Sequence, residues 1–233
     1  GGTFFDFTLN SGASVSLSAN SYINGTLTLT SGLFSLENFH LTLGASAAIS
    51  GTPSASNMIV TNGSGELRKT FTGNTSFIFP IGDNTGTAEY SRISVNFGSG
   101  TYSDAYVSVK VTDEKHPNNT SSTDFLSRYW TVGSSGISAF SCTVNATYLD
   151  SDINGTETLI QEARYNGSWT LDNPVIAAIN ATSMTVTSFG DFTGGEASAL
   201  PVELTSLSSS VVGTTVQLNW ATATEVDNYG FEV

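Results

Sequence analysis

Residues 8–51 read TLNSGASVSLSANSYINGTLTLTSGLFSLENFHLTLGASAAISG. The pentapeptide Thr8–Gly12 recurs closely as Thr28–Gly32, and a shorter version returns as Ala48–Gly51. These marks lie about 20 residues apart with short alternating runs between them, a spacing typical of stacked β-solenoid coils. A coil of this kind buries its apolar edge only against a neighbouring coil. We therefore expect a short β-solenoid region over residues 1–84, with a plain β-meander as the alternative.

The sequence after residue 84 favours an antiparallel arrangement. Apolar side chains occupy every second position of one stretch: Phe140, Cys142, Val144, Ala146 and Tyr148. This period of two indicates a half-buried strand, and Asn166-Gly167 fits a tight hairpin turn. About seven short strands with turn signals between them predict a β-sandwich over residues 85–190.

Composition narrows the class of protein. Hydrophobic residues make up 39% of the 233-residue chain and charged residues only 12%, so Ser, Thr, Asn and Gly must provide solubility, as in many extracellular β proteins. The net charge is −13 with seven Lys and Arg, which argues against nucleic acid and anionic membranes as partners. No apolar run has membrane-spanning length. A single cysteine, Cys142, excludes a disulfide within the chain, and we expect it to be a small buried hydrophobe.

The last part of the chain is expected to hold a linker and an incomplete module. Residues 191–200 are small and Gly-rich and precede a proline, which is typical of a linker. In residues 201–233, apolar and polar positions alternate up to Trp220, and Tyr229–Val233 begins a further strand. An immunoglobulin-like sandwich needs about seven strands, and only three are present here.

This last segment resembles the start of a fibronectin type III-like module of large secreted proteins of Bacteroidota and related phyla. The resemblance is carried by Pro201–Leu204, Leu218–Trp220, Thr222–Glu225 and Tyr229–Glu232. Three shorter stretches are also similar to such proteins: Phe79-Pro80-Ile81-Gly82, Arg128-Tyr129-Trp130 and Gly167-Ser168-Trp169. The resemblance implies secretion by the type IX machinery and a secreted or cell-surface location, and it supplies no catalytic residues. The expected architecture is all-β: a short β-solenoid, an antiparallel β-sandwich and a partial fibronectin type III-like module.

One loop has the composition of a calcium site. Residues 150–157, DSDINGTE, match the first half of a D-x-D-x-N-G calcium loop. The candidate ligands are Asp150, Asp152, Asn154 and Glu157. The second half of the motif fails, because the twelfth position is Gln161 where a bidentate Glu is needed. An ordinary hairpin loop without metal is the alternative, since Asp, Asn and Gly also favour turns.

Other candidate constellations are weak. His40 and His116 lie far apart in the sequence without cysteine or carboxylate neighbours at metal spacing, which argues against a zinc site or a histidine-based triad. We interpret residues 113–116, Asp-Glu-Lys-His, as a solvated loop. The three tryptophans are expected to be mainly core residues. Nothing in the sequence indicates an enzyme.

The sequence therefore predicts a non-enzymatic secreted or cell-surface structural protein, either an adhesin segment or a subunit of an extracellular filament assembled head-to-tail. The alternative is a glycan-binding accessory region of a secreted hydrolase, with surface glycans as partners. We expect both ends to be completed by another copy of the protein or by residues outside this chain, unless they rest on the sandwich. The predicted self-assembly residues are Phe5, Phe7, Leu218, Trp220, Phe231 and Val233.

Overall fold

A computed structural model of the chain describes residues 1–197, 204–212 and 215–222. Strands account for 58% of the residues and helices for 5%, which confirms the all-β class. The three short helices are 3-10 turns at Asp150–Asp152, Glu157–Leu159 and Ala177–Ile179. In the described part of the chain, no helix is long and apolar enough for a membrane span.

The first part of the chain winds through four coils of three strands each. The first coil holds β1 (Thr3–Phe4), β2 (Phe7–Asn10) and β3 (Val15–Ser16). The second holds β4 (Ser21–Ile23), β5 (Thr26–Ser31) and β6 (Phe34–Ser35). The third holds β7 (Leu41–Leu43), β8 (Ala48–Gly51) and β9 (Ile59–Val60). The fourth holds β10 (Leu67–Phe71), β11 (Ser76–Phe79) and β12 (Ile81–Asp83).

Equivalent strands of successive coils pair in parallel. They form the series β1-β4-β7-β10, β2-β5-β8 and β3-β6-β9-β12. This stacking confirms the predicted β-solenoid. The first repeat aligns as expected, because Thr8 pairs with Thr28 and Leu9 with Leu29.

The third repeat is shifted relative to the sequence alignment. Leu27 pairs with Ile49, an offset of 22 residues. Aligning Ser31-Gly32 with Ser50-Gly51 in the sequence gives an offset of 19 residues. Two of the three residues of this difference come from the corner before β8, which spans residues 44–47 where the preceding coil uses only residues 24–25. The longer corner turns Ala47 into the core.

Antiparallel strands then close the last coil. β13 (Glu89–Tyr90) pairs with β12, and the long strand β14 (Ile93–Thr112) pairs first with β11 and then with β10. β16 (Tyr129–Thr147) pairs along β14. The remaining strands up to residue 195 are β15 (Phe125–Leu126), β17 (Ile153–Asn154), β18 (Gln161–Tyr165), β19 (Trp169–Pro174), β20 (Ala181–Val186) and β21 (Asp191–Gly195).

These strands extend a sheet of the solenoid. The sheet runs in the order β1-β4-β7-β10-β14-β16-β21-β18-β19. The predicted strand around Cys142 lies in β16, its five apolar positions are buried, and β18 and β19 form the hairpin around Asn166-Gly167. A separate sandwich over residues 85–190 is not confirmed. One hydrophobic core continues from Leu9 to Phe192 across the predicted boundary at residue 84.

The linker predicted at residues 191–200 is wrong for its first half. Residues 191–195 form β21, which pairs with both β16 and β18. Gly194 is needed there because a Cβ atom would lie 2.6 Å from Ile160 Cγ2 and 3.1 Å from Leu126 Cδ1. Glycine in this strand therefore allows close packing, although the composition alone suggests a flexible segment.

The final described strands are β22 (Leu204–Val212) and β23 (Thr215–Thr222), an antiparallel pair. They agree with two of the three strands expected in this part, but the fibronectin-like module is not confirmed. The third expected strand, with Phe231 and Val233, and the side chain of Trp220 lie outside the described residues.

Candidate functional site

A buried arginine surrounded by four carboxylates forms a polar cluster in the described interior. Arg128 lies between β15 and β16, and its side chain is fully buried. Four carboxylates surround it: Asp83 at the end of β12, Glu89 in β13, Asp113 just after β14, and Asp152 in a 3-10 turn. The cluster therefore joins the last solenoid coil to two loops of the antiparallel part.

Each guanidinium nitrogen of Arg128 donates to at least one carboxylate. Nε donates to Asp152 Oδ2 at 2.8 Å, and Nη1 donates to Asp83 Oδ2 at 2.5 Å. Nη2 donates to Asp113 Oδ1 at 3.1 Å and also to Glu89 Oε2. The planar guanidinium is suited to such multiple contacts because its donors point in fixed directions within one plane.

The electrostatics of the cluster are unbalanced, with one cation against four acidic groups. Burial alone would lower the pKa of Arg128, but hydrogen bonds and charges from Asp152 and Asp83 raise it above its usual value. Burial raises the pKa of Asp113, Arg128 lowers it, and the charges of Asp83, Glu89 and Asp152 raise it further. Arg128 therefore stays charged and holds the four acids together.

Three of these acids are close enough to share a cation. Ligand oxygens of Asp83, Glu89 and Asp113 lie within 4.8 Å of one another, and a polar cleft of about 160 Å³ beside them is lined by Asp83 and Asp113. Arg128 already contacts all three. The cluster is consequently a complete ion-pair network, which holds its loops together without a metal ion.

The four predicted calcium ligands are held by different protein groups. Asp152 binds Arg128 and accepts the Leu149 amide at 2.8 Å, while Asp150 accepts from Asn180 Nδ2 at 2.6 Å. Glu157 accepts from the Tyr148 hydroxyl at 2.7 Å, and Asn154 donates to the Asp152 carbonyl at 3.2 Å. The structure thus places them in one loop, with their side chains directed to separate partners.

Residues 113–116 are only in part the solvated loop expected from the sequence, because Glu114 is exposed but His116 is buried. His116 is only 2% exposed, and its Nε2 lies 3.1 Å from Asp191 Oδ2. Its ring packs against the rings of Tyr129, Tyr165 and Trp169. Burial alone would raise the pKa of Asp191, but hydrogen bonds from His116 and Thr131 lower it overall. The pair anchors this loop to β21.

Glu162 in β18 is a buried acid outside the Arg128 cluster. It is 1% exposed, its Oε1 accepts the Ser183 amide at 2.8 Å, and its Oε2 has no partner among the described residues. Burial raises the pKa of this carboxyl to about 7, against a smaller lowering by the Ser183 hydrogen bond. Glu162 is therefore the described carboxyl whose charge the fold opposes most clearly.

The tryptophans and the predicted self-assembly residues differ in exposure. Trp130 and Trp169 are buried, and their indole nitrogens donate to the carbonyls of Ser91 and Asn118. Phe5 is 74% exposed, whereas Phe7 stacks on Phe34 with centroids 5.4 Å apart. Leu218 is 39% exposed.

Sequence reasoning missed the role of Arg128. Its carboxylate partners lie 45, 39, 15 and 24 residues away in the chain, so no local spacing reveals them. The available signal was an arginine directly before the apolar strand β16 in a chain with only seven basic residues.

Comparison of the chain with protein-family models, with curated proteins and with solved structures finds no match.

Proposed function

We propose that this chain belongs to a non-enzymatic secreted or cell-surface structural protein, either an adhesin segment or a subunit of a filament that assembles head-to-tail. The observation that carries the proposal is the first solenoid coil. Among the described residues, β1, β2 and β3 each pair with a strand on one side only. An unpaired strand edge is a template for pairing with another chain.

The first coil lacks the features that usually protect such an edge. Residues 1–20 contain one charged residue, Asp6, and no proline. A depression of about 270 Å³ at this end is lined by apolar side chains that include Phe4, Phe7 and Val15. Charged or proline residues on edge strands are common ways to prevent association, so their scarcity in residues 1–20 favours stacking against a further coil.

The location outside the cell rests on composition and resemblance. Only 12% of the residues are charged, and the surface relies on Ser, Thr and Asn. Export by the type IX machinery follows only from the resemblance of residues 201–233. An antibody against the chain that labels intact producing cells would support this location, and labelling only after lysis would contradict it.

The assembly proposal is tested with the purified chain. Negative-stain electron microscopy and sedimentation velocity over a range of concentrations should give linear particles and rising sedimentation coefficients. Truncation of residues 202–233 should weaken assembly. A full chain that stays monomeric at high concentration, or a truncated chain that polymerises equally well, would contradict the proposal.

Calcium in the loop 150–157 is a separate proposal. The ion would take oxygens of Asp150, Asp152, Asn154 and Glu157 that their protein partners leave available. Calcium should then raise the melting temperature, because a ligand that binds only the folded state stabilises it. A midpoint that does not change between chelator and excess calcium removes the idea.

Glycan binding is the alternative function. Aromatic side chains exposed near the first coils, Phe5 at 74% and Tyr22 at 50%, are the feature that favours it. The buried Trp130 and Trp169 contribute nothing to such a platform. A glycan array probed with the purified chain distinguishes the two functions, since the structural role predicts no hits.

A further inference from the structure

We propose that the groove between β8 and β11 binds the segment 225–233, EVDNYGFEV, of a second copy as an added β-strand. This inference rests on the proposed head-to-tail assembly and adds to it a second contact, separate from the edge of the first coil. The solenoid is interrupted on one face. The series β2-β5-β8 ends at β8, and β11 of the next coil pairs with β14 instead.

The groove lies between two strand edges that are unpaired among the described residues. Its volume is about 720 Å³, within the range of sites that hold small ligands. Ile49 and Phe77 contribute to its lining, and Ile78 at its side is 50% exposed. An apolar floor between two strands suits an extended chain with apolar side chains on one face.

The backbone of both edges offers hydrogen bonds to such a chain. The Ala48 amide donates to the Gly25 carbonyl of the preceding coil, and successive residues of a strand point their amides to opposite sides, so the Ile49 amide and carbonyl face the groove. On the other side, the Phe97 amide donates to the Thr75 carbonyl. By the same alternation, Ser76 and Ile78 direct their backbone groups away from β14. A strand that enters the groove can therefore pair on both sides.

The charge of the groove selects an acidic occupant. Its lining contains Arg92 and no carboxylate, and Arg92 forms no ion pair within the described residues. Lys69 lies behind the floor: its amine donates to the Gly44 and Ala45 carbonyls and lies 5.3 Å from the centroid of Phe77, which lines the groove. Arg92 is therefore the one cation in the described lining of the groove, and Lys69 lies behind it.

Segment 225–233 has the complementary pattern. Tyr229, Phe231 and Val233 alternate with Gly230 and Glu232, which predicts a strand with one apolar face. In the groove, the apolar face would cover Ile49 and Phe77, and the opposite face would present Glu232 to Arg92. Its three carboxylates and no basic residue match the charge of the groove.

The first experiment exchanges charges in the full chain and measures assembly by sedimentation velocity. Arg92→Glu and Glu232→Lys should each raise the concentration needed for assembly about tenfold or more, the size expected for an interfacial charge pair. The double variant should restore assembly toward the original concentration, because the pair is re-formed with reversed signs. The matched control removes an arginine outside the groove: Arg68→Gln should assemble normally, whereas Arg92→Gln, which removes the arginine of the groove, should assemble less well.

The second experiment tests the strand directly. An acetylated, fluorescein-labelled peptide EVDNYGFEV is added to the full chain, and binding is measured by fluorescence anisotropy. We expect binding that Arg92→Glu weakens about tenfold and that is lost when alternate peptide amides are N-methylated, since main-chain donors are then removed. An excess of unlabelled peptide should also cap assembly.

The outcomes separate this inference from the proposed function. Linear assembly that does not respond to the charge exchange or to the peptide overturns the groove contact and leaves the structural role standing. A monomeric chain that binds the peptide in an Arg92-dependent way supports the groove contact and contradicts filament formation. A monomer that excludes the peptide, because its own segment fills the groove, overturns the contact between copies.

Discussion

The first three solenoid coils and the part of the described chain that follows them share one core, but they fill it with different chemistry. Before residue 67, the buried polar residues of the described chain are neutral: Ser21, Ser35, Asn57 and Thr61. The buried residues of the Lys, Arg, His, Asp and Glu types all follow: Lys69, Asp83, His116, Arg128, Asp152 and Glu162. Parallel coils stack equivalent residues above one another, which suits apolar ladders. Antiparallel strands with long loops instead bring together segments distant in sequence, so a buried charge can meet its partners there.

The largest effect is expected in the charged half. Arg128→Met removes the cation and leaves four acids facing one another, so the free energy of unfolding should fall by about 3–5 kcal/mol, the usual result of breaking a buried ion pair. Urea unfolding at neutral pH measures it. Arg92→Met at the exposed cation is the control and should change stability little. Equal effects of the two variants would contradict a stabilising role for the cluster.

A cavity in the apolar half should cost slightly less. Leu29 is fully buried in β5, and Leu29→Ala should lower the free energy of unfolding by about 2–5 kcal/mol through lost burial and a cavity. Because the core is continuous, fluorescence and circular dichroism should report one shared transition. Two separated transitions, with only the earlier one shifted by Leu29→Ala, would show that the halves unfold independently.

Glu162 makes the stability of the antiparallel half depend on pH. Its folded pKa of about 7 lies above the ordinary value of 4.5, so its contribution is complete below pH 4.5 and is lost as the pH rises through 7. That loss amounts to about 3 kcal/mol at most. Glu162→Gln keeps an acceptor for the Ser183 amide, and it should therefore stabilise the protein at pH 8 but not at pH 4.

Thermal unfolding at both pH values gives the comparison. Glu114→Gln is the control, because that side chain is exposed. A Glu162→Gln variant that shows no gain at pH 8 would mean that the carboxylate is solvated in the folded protein.

The smallest effect is expected for an ion pair at the surface. Arg68 Nη2 lies 2.8 Å from Glu66 Oε2, and both side chains are about a quarter exposed. Arg68→Gln should change the free energy of unfolding by about 0–1 kcal/mol, since such pairs are screened by water and salt. A loss as large as that of Arg128→Met would remove the contrast between buried and surface charge.

The sequence predicts the parts of the fold that local patterns determine. The repeats around Leu9 and Leu29 predict the solenoid, and the alternation around Cys142 predicts β16. The register of β8 could not be predicted, because the two extra residues of the corner before it, which contribute to its shift, carry no pattern of their own in the sequence. The composition of residues 191–195 predicts a linker, whereas Ile160 and Leu126 occupy the space above Gly194 and require a glycine in a packed strand.

The candidate site was less predictable than the fold. Arg128 meets four segments that only the completed sheet brings together, and His116 meets Asp191 across 75 residues of sequence. The loop 150–157 could be singled out because its ligand pattern is local. What each of its side chains contacts depends on distant partners such as Arg128 and Asn180.

The continuous sheet also determines how the molecule would respond to force. Hydrogen bonds between strands run across the strands, so in a solenoid they lie along the stacking axis. Tension along that axis pulls successive coils apart in the direction of their hydrogen bonds. The bonds of one coil interface then open before those of the next, and they are not sheared all together. The Arg128 cluster ties β12, β13 and two loops at the far end of the stack. We therefore expect tension to detach the first coils before it disrupts the Arg128 cluster.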